Sequence, residues 1–158
     1  MLQGYVLDTS SLLNTWRDHL PIDVAPGVWD NLAGLIVEGR AISPIDVLEE
    51  LSKKDDDVHA WAKARRDPLF IDLDEDDLAA VKKIVNDERF RGMIKERPNR
   101  NRADPVVVAL AQVRGYTVVT EEFDDGSPAK CRIPYVCRQL DVPYVNFVGL
   151  MRAERWQL

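Results

Sequence analysis

Tyr5-Val6-Leu7-Asp8-Thr9-Ser10 decides the reading: a short apolar run, nearly at the first residue, that ends in a carboxylate. The run reads as a strand, and the chain repeats the pattern. Strands are predicted at Tyr5–Leu7, Ala41–Ile42, Leu69–Ile71, Tyr116–Val119 and Tyr144–Val145. Helical periodicity separates them at Ser11–Trp16, Val28–Glu38, Pro44–Ser52, Val58–Arg65, Asp76–Asn86, Pro105–Arg114 and Tyr135–Leu140. Strands alternating with helices predict an α/β fold, a three-layer α/β/α sandwich around a parallel sheet of about five strands. Ser43-Pro44 and Asp104-Pro105 read as helix starts, and Gly115 after Arg114 as a helix stop.

Parallel sheets gather strand C-termini and helix N-termini on one edge, and ligands bind there. Asp8 ends the first strand, Asp104 opens the helix that feeds the fourth, and Glu122 follows that strand. In the helix beginning at Pro44, Val47, Leu48 and Leu51 set the buried direction. Glu50 then lies roughly 105° from its centre and Glu49 roughly 155°. Glu50 thus borders the packed face, while Glu49 points to water. Carboxylates gathered in one cleft repel unless a cation holds them. An all-oxygen set of this kind suits Mg²⁺ or Mn²⁺, hard cations that also take phosphate oxygens. Singly, each acid has a plainer explanation: Asp104 a helix cap, Asp8 a turn former, Glu50 a half-exposed helix residue, Glu122 a loop acid.

The totals are compatible with this. A chain of 158 residues, 46% hydrophobic and 30% charged, fits one globular domain over 1–158. Its longest apolar run is the six-residue Val106–Ala111, too short to span a bilayer, and no secretory pattern opens the chain. A cytoplasmic location is the expectation. Cys131 and Cys137, with only two His beside them, make a poor metal site and read as free thiols. The net charge of −6 argues against non-specific nucleic-acid binding. It hides a basic run, Arg89, Arg91, Lys95, Arg97, Arg100 and Arg102, interrupted only by Glu96 among the acids after Arg89. That run leads straight into Asp104. Arg97, Arg100 and Arg102 are the candidates for gripping nucleic-acid phosphates, against the plainer reading of a solvated basic helix.

Leu7-Asp8-Thr9-Ser10, Val47-Leu48-Glu49-Glu50-Leu51, Ala103-Asp104-Pro105 with the apolar run after it, and Val118-Val119-Thr120-Glu121-Glu122 together resemble the PIN-domain nucleases. The tail Lys130-Cys131-Arg132-Ile133-Pro134-Tyr135-Val136-Cys137 resembles a branch of that superfamily associated with VapC-like toxins of toxin–antitoxin systems. The resemblance implies a divalent-metal endoribonuclease, often neutralised by a protein antitoxin. It implies that Asp8, Glu50 and Asp104 are core metal ligands, with Ser10 beside the first acid and Thr120 after the fourth strand. The family's fourth acid is usually an Asp two residues beyond that threonine. Here it is Glu122, with Glu121, Asp124 and Asp125 close by. Partners in view are an RNA substrate, an antitoxin and a second copy of the chain; no membrane is implied.

Other features carry less. Asp72-Leu73-Asp74-Glu75-Asp76-Asp77 invites a calcium-loop reading, but the sixth and twelfth positions are Asp77 and Lys83 rather than Gly and an acid. Acids opening a helix explain it, as they explain Asp55-Asp56-Asp57. Trp16, Trp29 and Trp61 read as core. Trp156 reads as a tail residue that packs on the domain or docks a partner. Two rival functions stay open: a phosphatase with Asp8 as nucleophile, weakened by Ser10 standing where a second Asp is wanted, and an inactive scaffold binding RNA or protein.

Overall fold

The computed structural model describes residues 2–95, 103–124, 126–129 and 131–158. β1 (Tyr5–Leu7) leads into α1 (Thr9–Asn14), which widens into a π-helical turn over Thr15–His19. α2 (Pro26–Val37), β2 (Ala41–Pro44), α3 (Ile45–Ser52), α4 (Asp56–Lys63), the short α5 (Arg66–Leu69) and β3 (Phe70–Ile71) follow. Then come α6 (Glu75–Val85), a 3₁₀ turn at Glu88–Phe90, α7 (Arg91–Lys95), α8 (Ala103–Arg114), β4 (Thr117–Val119), α9 (Ile133–Gln139), β5 (Tyr144–Val145) and α10 (Phe147–Ala153).

The five strands form one sheet in the order β3-β2-β1-β4-β5, and every pairing is parallel. Helices flank this sheet in the three-layer α/β/α arrangement. Tyr5 pairs with Ala41 on one side and Thr117 on the other, so β1 is central. Tyr5, Val6, Leu7, Val118 and Val119 have no exposed surface, which is why these strands are apolar on both faces rather than alternating. From β1 the chain winds outward through β2 and β3, then returns to add β4 and β5 on the opposite side. The crevice beyond the carboxyl ends of β1 and β4 is therefore the topological switch point.

α8 drives the packing. Its residues from Ala103 to Ala111 are all buried, as an all-round apolar helix demands, and it lies against β1, β2 and α6. It stops where the sequence predicts: Gly115 takes a left-handed φ of +69°, which a side chain would resist. Gly4 allows the approach of Tyr116, whose ring would lie 2.4 Å from an added Cβ.

Three local readings are corrected. Ser43 is not a helix cap: it lies in β2 and its Oγ donates to the Leu7 carbonyl at 2.7 Å, tying β2 to β1. Asp104 is not a cap either. α8 already begins at Ala103, so Asp104 sits inside the first turn. Third, α5 forms where no helix is predicted, packed against α2, β2 and β3, while the short α7 falls in the basic run whose plainer reading is a helix. The acid runs do cap helices. Asp55 accepts from Asp57 N and Val58 N at the start of α4, and Asp74 and Asp77 form a reciprocal capping box on α6. Trp29 and Trp61 are buried and Trp16 half-buried, with the Trp16 and Trp61 rings 4.7 and 5.0 Å from that of Trp29. Trp156 joins this group through Phe147, at 6.5 Å, so the tail packs on its own domain. No helix among the described residues is long and apolar enough to cross a membrane.

Candidate functional site

Asp8 follows β1 at the switch point and is 3% exposed. It is the N-cap of α1: Oδ1 accepts from Ser11 N at 3.0 Å, while Ser11 Oγ donates to the Asp8 carbonyl. The Asp8-to-Ser11 spacing signals that cap in the sequence and belongs to no predicted feature. Ser10 Oγ donates to Oδ1 and Thr120 Oγ1 to Oδ2, both at 2.7 Å. Both hydroxyls singled out from the sequence therefore fix the rotamer of one carboxylate. They also hold the strand end of β4, because Ser10 Oγ accepts from Glu121 N and Thr120 Oγ1 from Glu122 N.

Asp104 faces this group from the first turn of α8, 8% exposed. Burial pushes its carboxyl well above the usual range, and the charges of Glu122, Asp8 and Glu50 push it further; Lys54 opposes them. No hydrogen-bond donor among the described residues meets it. Burial likewise raises Asp8 to about 7, with Glu122 adding to the rise and the bonds from Thr120, Ser10 and Ser11 opposing it. Asp8, Glu50, Asp104 and Glu122 thus share one electrostatic neighbourhood, although 41 or more residues separate Glu50 from its hydrogen-bond partners in α1 and α8.

Glu50 is half-buried and Glu49 exposed. The Glu50 carboxylate bridges helices: Oε2 accepts from Thr9 Oγ1 at 2.7 Å and Oε1 from Ala103 N at 3.1 Å. Thr9 is a partner that sequence reading missed, though it stands between two residues that were selected. Glu122 Oε2 accepts from Ile133 N, and Glu121 Oε1 from Phe147 N, so consecutive acids serve the N-termini of α9 and α10. Glu121 is the second missed residue. Cys131 and Cys137 are free and buried. Burial, with the charges of Asp8 and Glu122, pushes the Cys137 thiol up to about 12, which keeps it protonated and unsuited to bind metal.

In the basic run, Arg89 pairs with Asp87 and Arg91 with Glu88. Arg97, Arg100 and Arg102 lie outside the described residues.

A divalent cation fits this donor set in chemistry. The atoms are carboxylate oxygens, two of the acids are almost fully buried, and neighbouring carboxylates raise the pKa of both. Among the described residues, however, no three His, Cys, Asp or Glu side chains are gathered as a ready ligand set. Glu50 and Glu122 explain this, since both are turned onto backbone or hydroxyl donors.

No characterised protein and no solved structure matches the chain. A family model matches residues 5–158, nearly its whole length, and the chain belongs to that family, a domain of unknown function designated DUF4411.

Proposed function

We propose that the chain is a divalent-metal-dependent endoribonuclease that hydrolyses RNA phosphodiester bonds. The observation that carries the reading is the burial of Asp8 and Asp104 at the switch point, with the half-buried carboxylates of Glu50 and Glu122 close enough to act on them. Burying a carboxylate is costly, and a fold retains it where function uses it. The resemblance to PIN-domain nucleases supports the same conclusion.

Asp104, Asp8 and Glu50 would hold Mg²⁺ or Mn²⁺, with Glu122 as the fourth carboxylate. Such an ion, when bound, acidifies water and neutralises charge on a leaving oxygen. Ser10 and Thr120 would keep Asp8 in one rotamer, so that both of its oxygens keep their direction as substrate enters. Thr9 would do the same for Glu50. Arg97, Arg100 and Arg102 would bind RNA phosphates flanking the cleft and offset the repulsion of an acidic protein. A cytoplasmic toxin restrained by a protein antitoxin is the biological setting that the VapC-like tail suggests, and a homodimer accords with that setting.

The test is RNA cleavage in EDTA and after restoration of Mn²⁺ or Mg²⁺. Cleavage that stops with chelator and returns with metal supports the nuclease. Failure to cleave any RNA under either condition would leave a nuclease-like scaffold.

A further inference from the structure

Phe123 is 80% exposed although it stands directly beside Glu122. Its neighbours hold it there. Glu122 is tied to Ile133 N through its side chain and to Thr120 Oγ1 through its amide. Asp124 is tied to Gly126 N and ion-paired to Arg138 on α9. A large apolar ring is thus pinned in water between two anchored acids. Isolated exposed apolar residues are common and need no explanation. Phe123 is not isolated: with Tyr144, itself 37% exposed, it lines a groove of about 280 Å³. The same groove reaches Thr120, whose hydroxyl holds Asp8, and Glu122.

The other walls decide what can enter. Glu121 and Glu122 line the groove with Val145 and Asn146, and a carboxylate repels a phosphodiester, whereas the Asp124 charge is taken up by Arg138. A nucleobase is neutral and flat, and its face stacks on an aromatic ring whatever its identity. In a duplex that face is covered by its neighbours, so only an unpaired base can offer it.

We propose that Phe123, in the groove it lines with Tyr144, is a stacking platform for an unpaired base next to the cleaved bond. This rests on the nuclease reading for its setting. Stacking places the base over the β4–α9 loop and leaves the adjoining phosphate to the carboxylate cleft.

The experiment titrates wild type and the Phe123→Ala, Phe123→Leu and Phe123→Trp variants into an unstructured RNA carrying 2-aminopurine at successive positions. A duplex of the same sequence is titrated in parallel. Loss of the ring is expected to weaken single-strand binding about tenfold in the Ala and Leu variants. The Trp variant is expected to restore it, with 2-aminopurine quenching following the same order. Duplex binding should be weaker than single-strand binding and equal across the four proteins. Because Phe123 is exposed, all four should unfold at the same temperature. Equal single-strand binding by the Ala variant, rescue by Leu as good as by Trp, or no single-strand binding by wild type would each overturn the proposal. Mn²⁺-dependent cleavage is measured alongside. A wild type that cleaves no differently from Phe123→Ala rejects the platform and leaves the nuclease standing; ring-dependent binding without cleavage does the reverse.

Discussion

Asp77 on α6 and the pair Asp8 and Asp104 at the sheet edge are all deeply buried acids, but among the described residues a guanidinium meets only Asp77. Its Oδ2 accepts from Arg114 Nη2 at 2.9 Å and from Asp74 N at 3.0 Å, so it staples α6 to α8 and closes a capping box. Asp8 is met by hydroxyls and one amide, and Asp104 by no donor among the described residues. The first arrangement is architecture: a buried carboxylate tied through Oδ2 to a fixed guanidinium, with Oδ1 left without a hydrogen-bond partner among the described residues. The second has no such cation among the described residues, and under the proposed function a divalent ion would take that place. The contrast divides the buried acids of a chain that has 27 Asp and Glu.

The largest expected effect comes from exchanging the two kinds. Asp8→Asn or Asp104→Asn should lower RNA cleavage by at least roughly a hundredfold, because several kcal/mol of transition-state stabilisation is lost with a metal ligand. Each variant should stay folded and unfold at a higher temperature than wild type in EDTA. Asp77→Ala should do the opposite: about 2–3 kcal/mol less stable through the lost ion pair and cap, with cleavage per folded molecule unchanged. Initial rates and thermal melts on the three proteins check this. A cleavage defect in Asp77→Ala matching that of Asp104→Asn would erase the distinction.

The pH dependence sharpens the same contrast. Asp8 is raised to about 7 in the fold, whereas in the unfolded chain it titrates at its ordinary value near 4. Between those values the unfolded state releases a proton that the folded state keeps. Metal-free stability should therefore be highest at the acidic end of this window and fall as pH rises toward 7, by up to about 4 kcal/mol for a shift of this size. The rise at Asp104 acts in the same direction. Urea unfolding in EDTA at pH 5 and pH 8 measures the slope, which Asp8→Asn should flatten and millimolar Mn²⁺ should remove. A protein more stable at pH 8 than at pH 5 in EDTA would mean that the acids are repaid after all.

How much of this the sequence carried depends on the range of the interaction. The alternation of strands and helices, the strand at Tyr5–Leu7 and the stop at Gly115 are local patterns, and they were legible; the central place of that strand was not, because strand order is set by the folded sheet. So was the half-buried place of Glu50 against the exposed Glu49, because three apolar positions define a helix face. The pairs Thr9–Glu50 and Ser43–Leu7 were not legible, since each joins residues more than thirty positions apart through a register that only the folded sheet fixes. Asp104 was selected for the cleft, and only its reading as a cap fails. An acid before proline has the signature of a cap, but α8 starts at Ala103, two residues before the predicted Pro105, so Asp104 lies inside the first turn.

A smaller effect is expected from the residues that aim Asp8. Thr120→Val removes the bond to Oδ2 at nearly constant volume, and Ser10→Ala the bond to Oδ1. Each should cost 10–100-fold in activity or metal affinity, about the range for residues that orient a ligand. The double variant should cost less than the product of the two, since both act on one carboxylate. Full additivity in a titration of Mn²⁺ against cleavage would argue that the hydroxyls act on different partners.

The smallest expected effect distinguishes two adjacent acids. Glu121 accepts from Phe147 N at the start of α10, and its charge is not among those that raise Asp8 or Asp104. Glu121→Gln keeps an oxygen for that amide and loses only the favourable charge at a helix N-terminus, so it should cost about 0.3–1 kcal/mol and leave cleavage unchanged. Glu122 bears a similar bond to Ile133 N but also acts on both buried acids. Glu122→Gln should therefore lower the pKa of Asp8 toward the ordinary range and weaken Mn²⁺ dependence, while Glu121→Gln does neither. Carboxyl NMR titration of Asp8 in the two variants reads this directly. An Asp8 pKa that moves equally in both would mean that the acid of the cleft and the acid of the scaffold are not divided between these two positions.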